Sequence, residues 1–194
     1  MPPFIVLHVC TGNICRSPMS ERFLAHYVAA AGLGPEHLLN HSAGTSAFHE
    51  GEDMQSNSRA ELTDRGVDAE GFASRPLSTH LTSTSELILT ATDDHRQFAC
   101  DLDAEAEAKT FLVRQLGRIA ADFDTEALPA LDGSAQSILK RGQAFVAEAH
   151  TRRGEYEPLR LDDPWSLGRA TYTRIADQLE EAIRPIAEVL VGSR

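Results

Sequence analysis

The feature that most constrains the fold is an apolar run that passes, through one short loop, into the start of a helix. Residues 4–9 read Phe-Ile-Val-Leu-His-Val, a nearly continuous apolar run that is typical of a central parallel strand covered on both faces. Residues 10–17 form a short polar loop, in which Ser17 followed by Pro18 predicts the N-cap and the first position of a helix. A strand, a loop and a helix in this order favour an α/β fold.

The rest of the chain repeats this alternation of strands and helices. Further strands are predicted at residues 38–42, 86–91 and 109–113. Residues 54–66 read as a helix, and a long C-terminal helix follows a loop over residues 153–168; Pro185 should kink or break that helix near Arg184. The alternation implies βαβ units, so we predict a single α/β domain over residues 1–194. Its architecture would be a three-layer sandwich with a four-stranded parallel sheet and helices on both faces.

Composition limits the partners of this chain of 194 residues. Its net charge of −11 repels nucleic acid and anionic membranes, so any phosphate chemistry needs a locally positive site. Three cysteines, an odd number, and a first segment unlike a signal peptide favour free thiols in a reducing cytoplasm. The eight histidines are scattered and no paired metal-ligand spacing occurs, so we expect no metal and no cofactor.

The loop between the first strand and the first helix combines a nucleophile with an anion cradle. Its backbone N–H groups should point inward at the helix N-terminus, and Gly12 and Asn13 allow the tight turn that this requires. Arg16 can bind two phosphate oxygens in a planar fork, and Ser17 can donate a further hydrogen bond. The same positive field favours the thiolate of Cys10. A buried cysteine at a strand end is more often structural, so the signal lies in the combination within eight residues.

This loop resembles the signature of the low-molecular-weight protein tyrosine phosphatase family. The resemblance covers the whole string Cys10-Thr11-Gly12-Asn13-Ile14-Cys15-Arg16-Ser17-Pro18 and extends over residues 4–98 and about 160–191. It implies a four-stranded parallel sheet and hydrolysis of phosphotyrosine in proteins through a phosphocysteine on Cys10. Arg16 would then act as the phosphate clamp. The remaining residues expected to bind the phosphate, or a sulfate ion in its place, are Thr11, Gly12, Asn13, Ile14, Cys15 and Ser17.

The resemblance also assigns groups that lie far from the loop in sequence. A phenolate leaving group needs a proton, and Asp163, directly before Pro164, matches the family's general acid; Asp162 is the adjacent competitor. Phe48 and Trp165 are the expected walls of a slot for an aromatic ring, although core packing is the alternative for both. Ser42, with Asn13, is expected to support the shape of the loop.

Three other activities compete with this interpretation. Arsenate reduction coupled to thioredoxin would need two further downstream cysteines, but only Cys100 lies in that region. Protein-arginine phosphatases resemble this loop but carry Thr at the position of Ile14, whose apolar side chain favours an aromatic ring. The third competitor is an anion-binding regulatory protein without catalysis.

Two further features remain open at the sequence level. Residues 99–158 are longer than the corresponding part of a usual family member, so we predict a family-atypical helical insertion there, either packed beside the sheet or forming a lid or partner surface near the Asp163 loop. Cys10 and Cys15 share one loop and could form a reversible regulatory disulfide. We expect a monomer or weak dimer that acts on tyrosine-phosphorylated proteins.

Overall fold

Four parallel strands form one sheet at the centre of the molecule. The computed structural model describes residues 2–192. Every strand pair is parallel, and the order across the sheet is β2-β1-β3-β4. The strands are β1 (Phe4–Cys10), β2 (Leu38–Gly44), β3 (Leu87–Thr90) and β4 (Thr110–Leu112). The predicted four-stranded parallel sheet is therefore confirmed.

Helices connect the strands and cover the sheet. They are α1 (Arg16–Ala30), α2 (Ser56–Asp64), α3 (Thr79–Thr84), α4 (Asp93–Leu102), α5 (Val113–Ala121), α6 (Ala135–Arg152) and α7 (Arg169–Val191). Short 3₁₀ turns occupy Ala104–Lys109, Thr125–Ala127 and Arg153–Glu155. Among residues 2–192, none of these helices combines the length and hydrophobicity that a bilayer span requires.

Alternate residues of β1 pack into two separate cores. Phe4 and Val6 belong to the larger core, which includes residues of α1, α5, α6 and α7. Leu7 and Val9 face the opposite side, with Ile88 and with Ala99 of α4. Because both faces of the sheet are covered by helices, the molecule is the predicted three-layer sandwich.

The first helix begins earlier than the sequence suggested. Cys15 is the N-cap and Arg16 the first helical residue, so the prediction that Ser17 caps the helix is wrong. The Ser17 hydroxyl instead lies 3.0 Å from the sulfur of Cys10. Pro18 is tolerated at the third helical position because the first N–H groups of a helix have no intrahelical partner.

The C-terminal helix continues through its proline. Helix α7 runs from Arg169 to Val191 with Pro185 inside it, so the helix does not break near Arg184, while the alternative of a kink there stays a prediction. A proline in a helix interior costs about 3 kcal/mol. Ile183 and Ile186, on either side of it, are fully buried in the larger core, and this burial offsets the lost hydrogen bond.

Candidate active site

The residue 11–15 loop lies at the carboxyl end of β1 and presents its N–H groups to a pocket. The carbonyls of Cys10 and Thr11 accept bonds from the Thr45 and Ser46 N–H groups, and the Ile14 carbonyl accepts one from Gln55. Among residues 2–192, the N–H groups of residues 11–15 donate to no backbone or side-chain acceptor. The carbonyl groups of the loop thus bond to neighbouring parts of the chain, and its N–H groups remain available to bind an anion.

Cys10 lies at the base of this loop, directly before the N-terminus of α1. Its side chain is buried, and its sulfur is within 3.0 Å of the Ser17 hydroxyl. The thiol is free and is not part of a disulfide. A sulfur in this position faces the positive end of the helix dipole.

Asn13 fixes the shape of the loop through its backbone and its amide group. Its φ of 53° places it in the left-handed region, which asparagine tolerates better than most residues. Its amide nitrogen donates to Ser17 Oγ (2.9 Å) and Ser42 Oγ (2.8 Å), while its amide oxygen accepts from the Arg75 N–H. Ser42 in turn donates to the partly buried carboxyl of Glu21 at 2.5 Å. The structure therefore brings Ser42 to the supporting position expected from the sequence.

Arg16 is buried beneath the pocket and connects the loop to the distant acid. Its Nη2 donates to Asp163 Oδ2 at 2.9 Å, and its Nη1 donates to the Leu161 carbonyl at 3.2 Å. Its Nε is buried and has no hydrogen-bond partner among the described residues. A buried donor without a partner, beside unpaired loop N–H groups, marks the place where an anion would bind.

The Asp163 loop reaches the site from the C-terminal part of the chain. The Asp163 side chain is 50% exposed, and its Oδ1 accepts a bond from the Trp165 N–H at 3.2 Å. The neighbouring Asp162 pairs with Arg174 at 2.9 Å and does not line the pocket. Of the two adjacent carboxylates, only Asp163 therefore contacts the guanidinium of Arg16.

A pocket of about 290 Å³ opens above the loop. Phe48 and Trp165 stand at its rim, where their side chains are 83% and 44% exposed, so neither is packed into the core. His49 lies between them, with ring centroids 4.9 Å from Phe48 and 5.2 Å from Trp165, and it bonds to Glu52 at 2.7 Å. His49 was missed as a wall residue, although its place beside Phe48 in the sequence could have suggested it.

Cys15, the second cysteine of the loop, lies away from the solvent. Its sulfur is 3.6 Å from the Tyr172 hydroxyl, and the two side chains are buried together with Ile14. Burial raises the pKa of the Cys15 thiol to about 11, so this group is protonated at neutral pH. The disulfide between Cys10 and Cys15 stays a prediction.

His95 was not expected at the site from the sequence. It lies in the first turn of α4, and its Nε2 is 2.9 Å from Thr11 Oγ1. Its Nδ1 is 2.8 Å from the hydroxyl of Thr92. Only the folding of β3 beside β1 brings this histidine to the loop. Within residues 2–192, no group of three or more His, Cys, Asp or Glu side chains could hold a metal ion.

The fold and the site together define an α/β protein with a cysteine and an arginine on one loop at the carboxyl edge of its sheet. The family model described as low molecular weight phosphotyrosine protein phosphatase matches residues 5–134. The chain therefore belongs to the low molecular weight phosphotyrosine protein phosphatase family, as its loop predicted.

Curated relatives and a solved structure place the chain within this family and fold. A low molecular weight protein-tyrosine-phosphatase of Streptomyces coelicolor is 52% identical over 62 residues, which are 31% of this chain and 37% of that protein. The Etp phosphatase of Escherichia coli K12 is 34% identical over 113 residues, covering 57% of this chain and 69% of Etp. The chain thus spans only about a third of the Streptomyces relative in that match.

One similar solved structure is the YwlE arginine phosphatase from Geobacillus stearothermophilus. It superposes with a TM-score of 0.66 at 24% identity and covers 96% of this chain and 92% of its own. At this identity the similarity shows the fold and not the substrate.

Proposed function

We propose that this protein hydrolyses phosphotyrosine in proteins through a phosphocysteine intermediate on Cys10. The observation that carries the proposal is one pocket lined by Cys10, Arg16 and Asp163, above a loop whose N–H groups have no acceptor among the described residues. These are a nucleophile, a phosphate clamp and a proton donor within one site.

In the first step the Cys10 thiolate attacks phosphorus and the bond from phosphorus to the tyrosine oxygen breaks. The loop N–H groups and the Arg16 guanidinium bind the three equatorial oxygens, where charge accumulates in the transition state. Asp163 in its protonated form gives its proton to the departing phenolate. Ser17, 3.0 Å from the sulfur, can donate to it and stabilise its negative charge.

In the second step water attacks the phosphocysteine. Asp163, now ionised, accepts the proton of the attacking water, and the sulfur–phosphorus bond breaks. Inorganic phosphate leaves, and Cys10 returns to the thiolate. The balance needs only water, so the cycle requires no metal and no further cofactor.

The walls of the pocket support tyrosine over arginine as the phosphorylated residue. The pocket is lined by Ile14 from the loop and by the rings of Phe48, His49 and Trp165. Apolar and aromatic walls stack on a phenyl ring, and the apolar Ile14 side chain offers no polar group to a guanidinium. The relatives at 34% and 52% identity are named tyrosine phosphatases, which supports the same substrate. We further propose action in the cytoplasm as a monomer or weak dimer.

The test compares hydrolysis of a phosphotyrosine peptide by wild type, Cys10→Ser and Asp163→Asn, with Asp162→Asn as the matched control. We expect Cys10→Ser to be inactive and Asp163→Asn to lose about 10²-fold or more in kcat, with the largest loss for substrates with poor leaving groups. Asp162→Asn should keep its activity, because Asp162 pairs with Arg174 outside the pocket.

Two outcomes would contradict the proposal. Unchanged hydrolysis in Cys10→Ser would exclude the phosphocysteine route. A wild type that binds inorganic phosphate but hydrolyses no phosphotyrosine would support the anion-binding regulator, and faster hydrolysis of a phosphoarginine peptide would support the arginine phosphatase.

A further inference from the structure

A buried histidine outside the proposed chemistry is joined to the phosphate clamp through one threonine. His95 is 6% exposed, and both of its ring nitrogens have partners: Thr11 Oγ1 at 2.9 Å and Thr92 Oγ1 at 2.8 Å. Thr11 Oγ1 also lies 3.4 Å from Nη2 of Arg16. A chain of hydrogen bonds thus runs from Arg16 through Thr11 and His95 to Thr92.

The chemistry of the four groups gives this chain one direction. A guanidinium can only donate, so the Thr11 oxygen accepts from Arg16. We assign the ring hydrogen of His95 to Nδ1, which donates it to the Thr92 oxygen, because this tautomer lets the Thr11 hydroxyl donate to Nε2. If Nε2 donated instead, the Thr11 oxygen would accept two hydrogen bonds, and the hydroxyl hydrogen of Thr11 would lose His95 as its acceptor.

The environment of His95 keeps its ring neutral, as this direction requires. Burial, together with the nearby Arg16, lowers the pKa of His95 to about 4, while Asp163 and Asp94 act in the opposite sense. At neutral pH the Nε2 lone pair is therefore free to accept the hydrogen of Thr11.

We propose that His95 is a positioning residue for the phosphate clamp: by fixing the Thr11 hydroxyl, it holds the Arg16 guanidinium in place beneath the pocket. The inference rests on the proposed phosphatase function, and it assigns a role to two residues, His95 and Thr92, that do not line the pocket. Thr11 lines the pocket itself, so its rotamer affects both the clamp and the space beside the phosphate. Without His95, Thr11 Oγ1 can turn away and Arg16 loses one of its three hydrogen-bond partners.

A pair of amide substitutions separates this role from simple packing. The amide of His95→Gln reaches the position of Nε2 and can accept from Thr11, whereas the shorter amide of His95→Asn reaches only the position of Nδ1. We expect His95→Asn to lose about tenfold or more in kcat/KM for p-nitrophenyl phosphate and in affinity for inorganic phosphate, and His95→Gln to recover most of both. His80→Phe, on the exposed face of α3, is the control and should match wild type.

A double-mutant cycle tests the link through Thr11. Thr11→Val keeps the shape but removes the hydroxyl, so it should weaken phosphate binding as His95→Phe does. The double variant should be little worse than the poorer single variant, because both remove the same chain of bonds. Circular dichroism and melting confirm that each variant is folded.

The proposal is overturned if His95→Asn equals wild type, if Asn and Gln are equally impaired, or if the losses of Thr11→Val and His95→Phe multiply. These outcomes differ from a failure of the phosphatase function itself. If the phosphatase function failed, the wild type would hydrolyse none of the phosphoesters, while phosphate binding by the variants would still report on the Thr11–His95 link.

Discussion

At the scale of single residues, the site depends on side chains that shape the loop as much as on those that face the pocket. Asn13 makes three hydrogen bonds from one amide group and takes a left-handed backbone that few residues tolerate. Gly44, paired with Cys10 at the end of β2, leaves room for the loop to pass. A Cβ at position 44 would lie 2.6 Å from the Thr11 carbonyl oxygen and 3.0 Å from the Asn13 nitrogen.

Gly44→Ala should therefore displace the loop. The added methyl group meets rigid backbone atoms, so we expect a stability loss of about 1–3 kcal/mol and a fall in phosphate affinity of more than about tenfold. Phosphate affinity by calorimetry and unfolding by denaturant would measure the two effects. Gly154→Ala is the matched control, because a Cβ there meets no atom within 4 Å. Wild-type phosphate affinity in Gly44→Ala would show that the loop is less constrained than this packing implies.

At the scale of elements, the loop that carries Asp163 is fixed at both ends by neighbouring elements. At one end the Leu161 N–H donates to the Ala91 carbonyl just after β3. At the other end α7 begins at Arg169, whose Nε donates to the buried carboxylate of Glu61 on α2. Glu61 also accepts from Arg65 and, at 2.8 Å, from the hydroxyl of Thr173. One buried carboxylate thus joins α2 to the first turn of α7.

Glu61→Gln tests this junction between α2 and α7. The substitution removes the buried carboxylate that Arg65 and Arg169 share, while Asp177 and Asp64 still pair with them, so we expect a loss of about 2 kcal/mol in the free energy of unfolding. Glu70→Gln is the control: Glu70 pairs with Arg59, but its side chain is 86% exposed, so its loss should cost less than about 1 kcal/mol. Equal stabilities of the two variants in urea unfolding would contradict a role for Glu61 in anchoring α7.

At the scale of the whole molecule, the larger core includes parts of the 99–158 segment. Leu116 and Ile119 of α5 and Phe145 of α6 are fully buried there. These contacts favour an elaboration packed beside the sheet over a lid, and the atypical length of this segment within the family stays a prediction.

His8 is a buried polar residue of β1. Its ring bonds to Ser20 at 2.7 Å and to Asn40 at 2.6 Å.

His8 should make the global stability depend on pH. Burial lowers the pKa of His8 to about 3, whereas an unfolded histidine titrates near 6.5, so below pH 6.5 the unfolded chain binds a proton that the folded chain does not. Its contribution to stability is therefore present above pH 6.5 and is lost as the pH falls toward 3. At pH 5 the loss is about 2 kcal/mol.

The variant His8→Phe should be less stable than wild type at pH 7.5, because Ser20 and Asn40 lose a partner. The difference in unfolding free energy between wild type and His8→Phe should fall by about 2 kcal/mol when urea unfolding is repeated at pH 5. Ser20→Ala is the control, since it loses a hydrogen bond but keeps the imidazole of His8. Its difference in unfolding free energy from wild type should be nearly the same at both pH values. If the difference in unfolding free energy between wild type and His8→Phe were also the same at both pH values, His8 would be protonated in the folded protein at pH 5.

The strand, the loop and the family were predictable from the sequence because their determinants are contiguous. Within residues 4–18, the apolar run, the Gly12–Asn13 turn and Arg16 follow each other along the chain, and parallel strands buried on both faces leave few alternative folds. Local signals were weaker at the element boundaries. Helix α1 starts at Arg16 and not after a Ser17 cap, and α7 continues past Pro185. Side-chain hydrogen bonds and core burial outweighed capping and helix propensity at these positions.

What the tertiary structure alone decided is which distant side chains meet the loop. A lone histidine at position 95 carries no local signal that separates a site residue from an ordinary surface group, and Pro164 favoured Asp163 over Asp162 only through the family resemblance. The parallel pairing of β3 with β1, together with the return of the 161–163 segment to Ala91, places His95 and Asp163 against Thr11 and Arg16. Sequence specifies local backbone geometry, whereas contacts between residues about 80 or 150 positions apart arise only when the sheet and its helices pack.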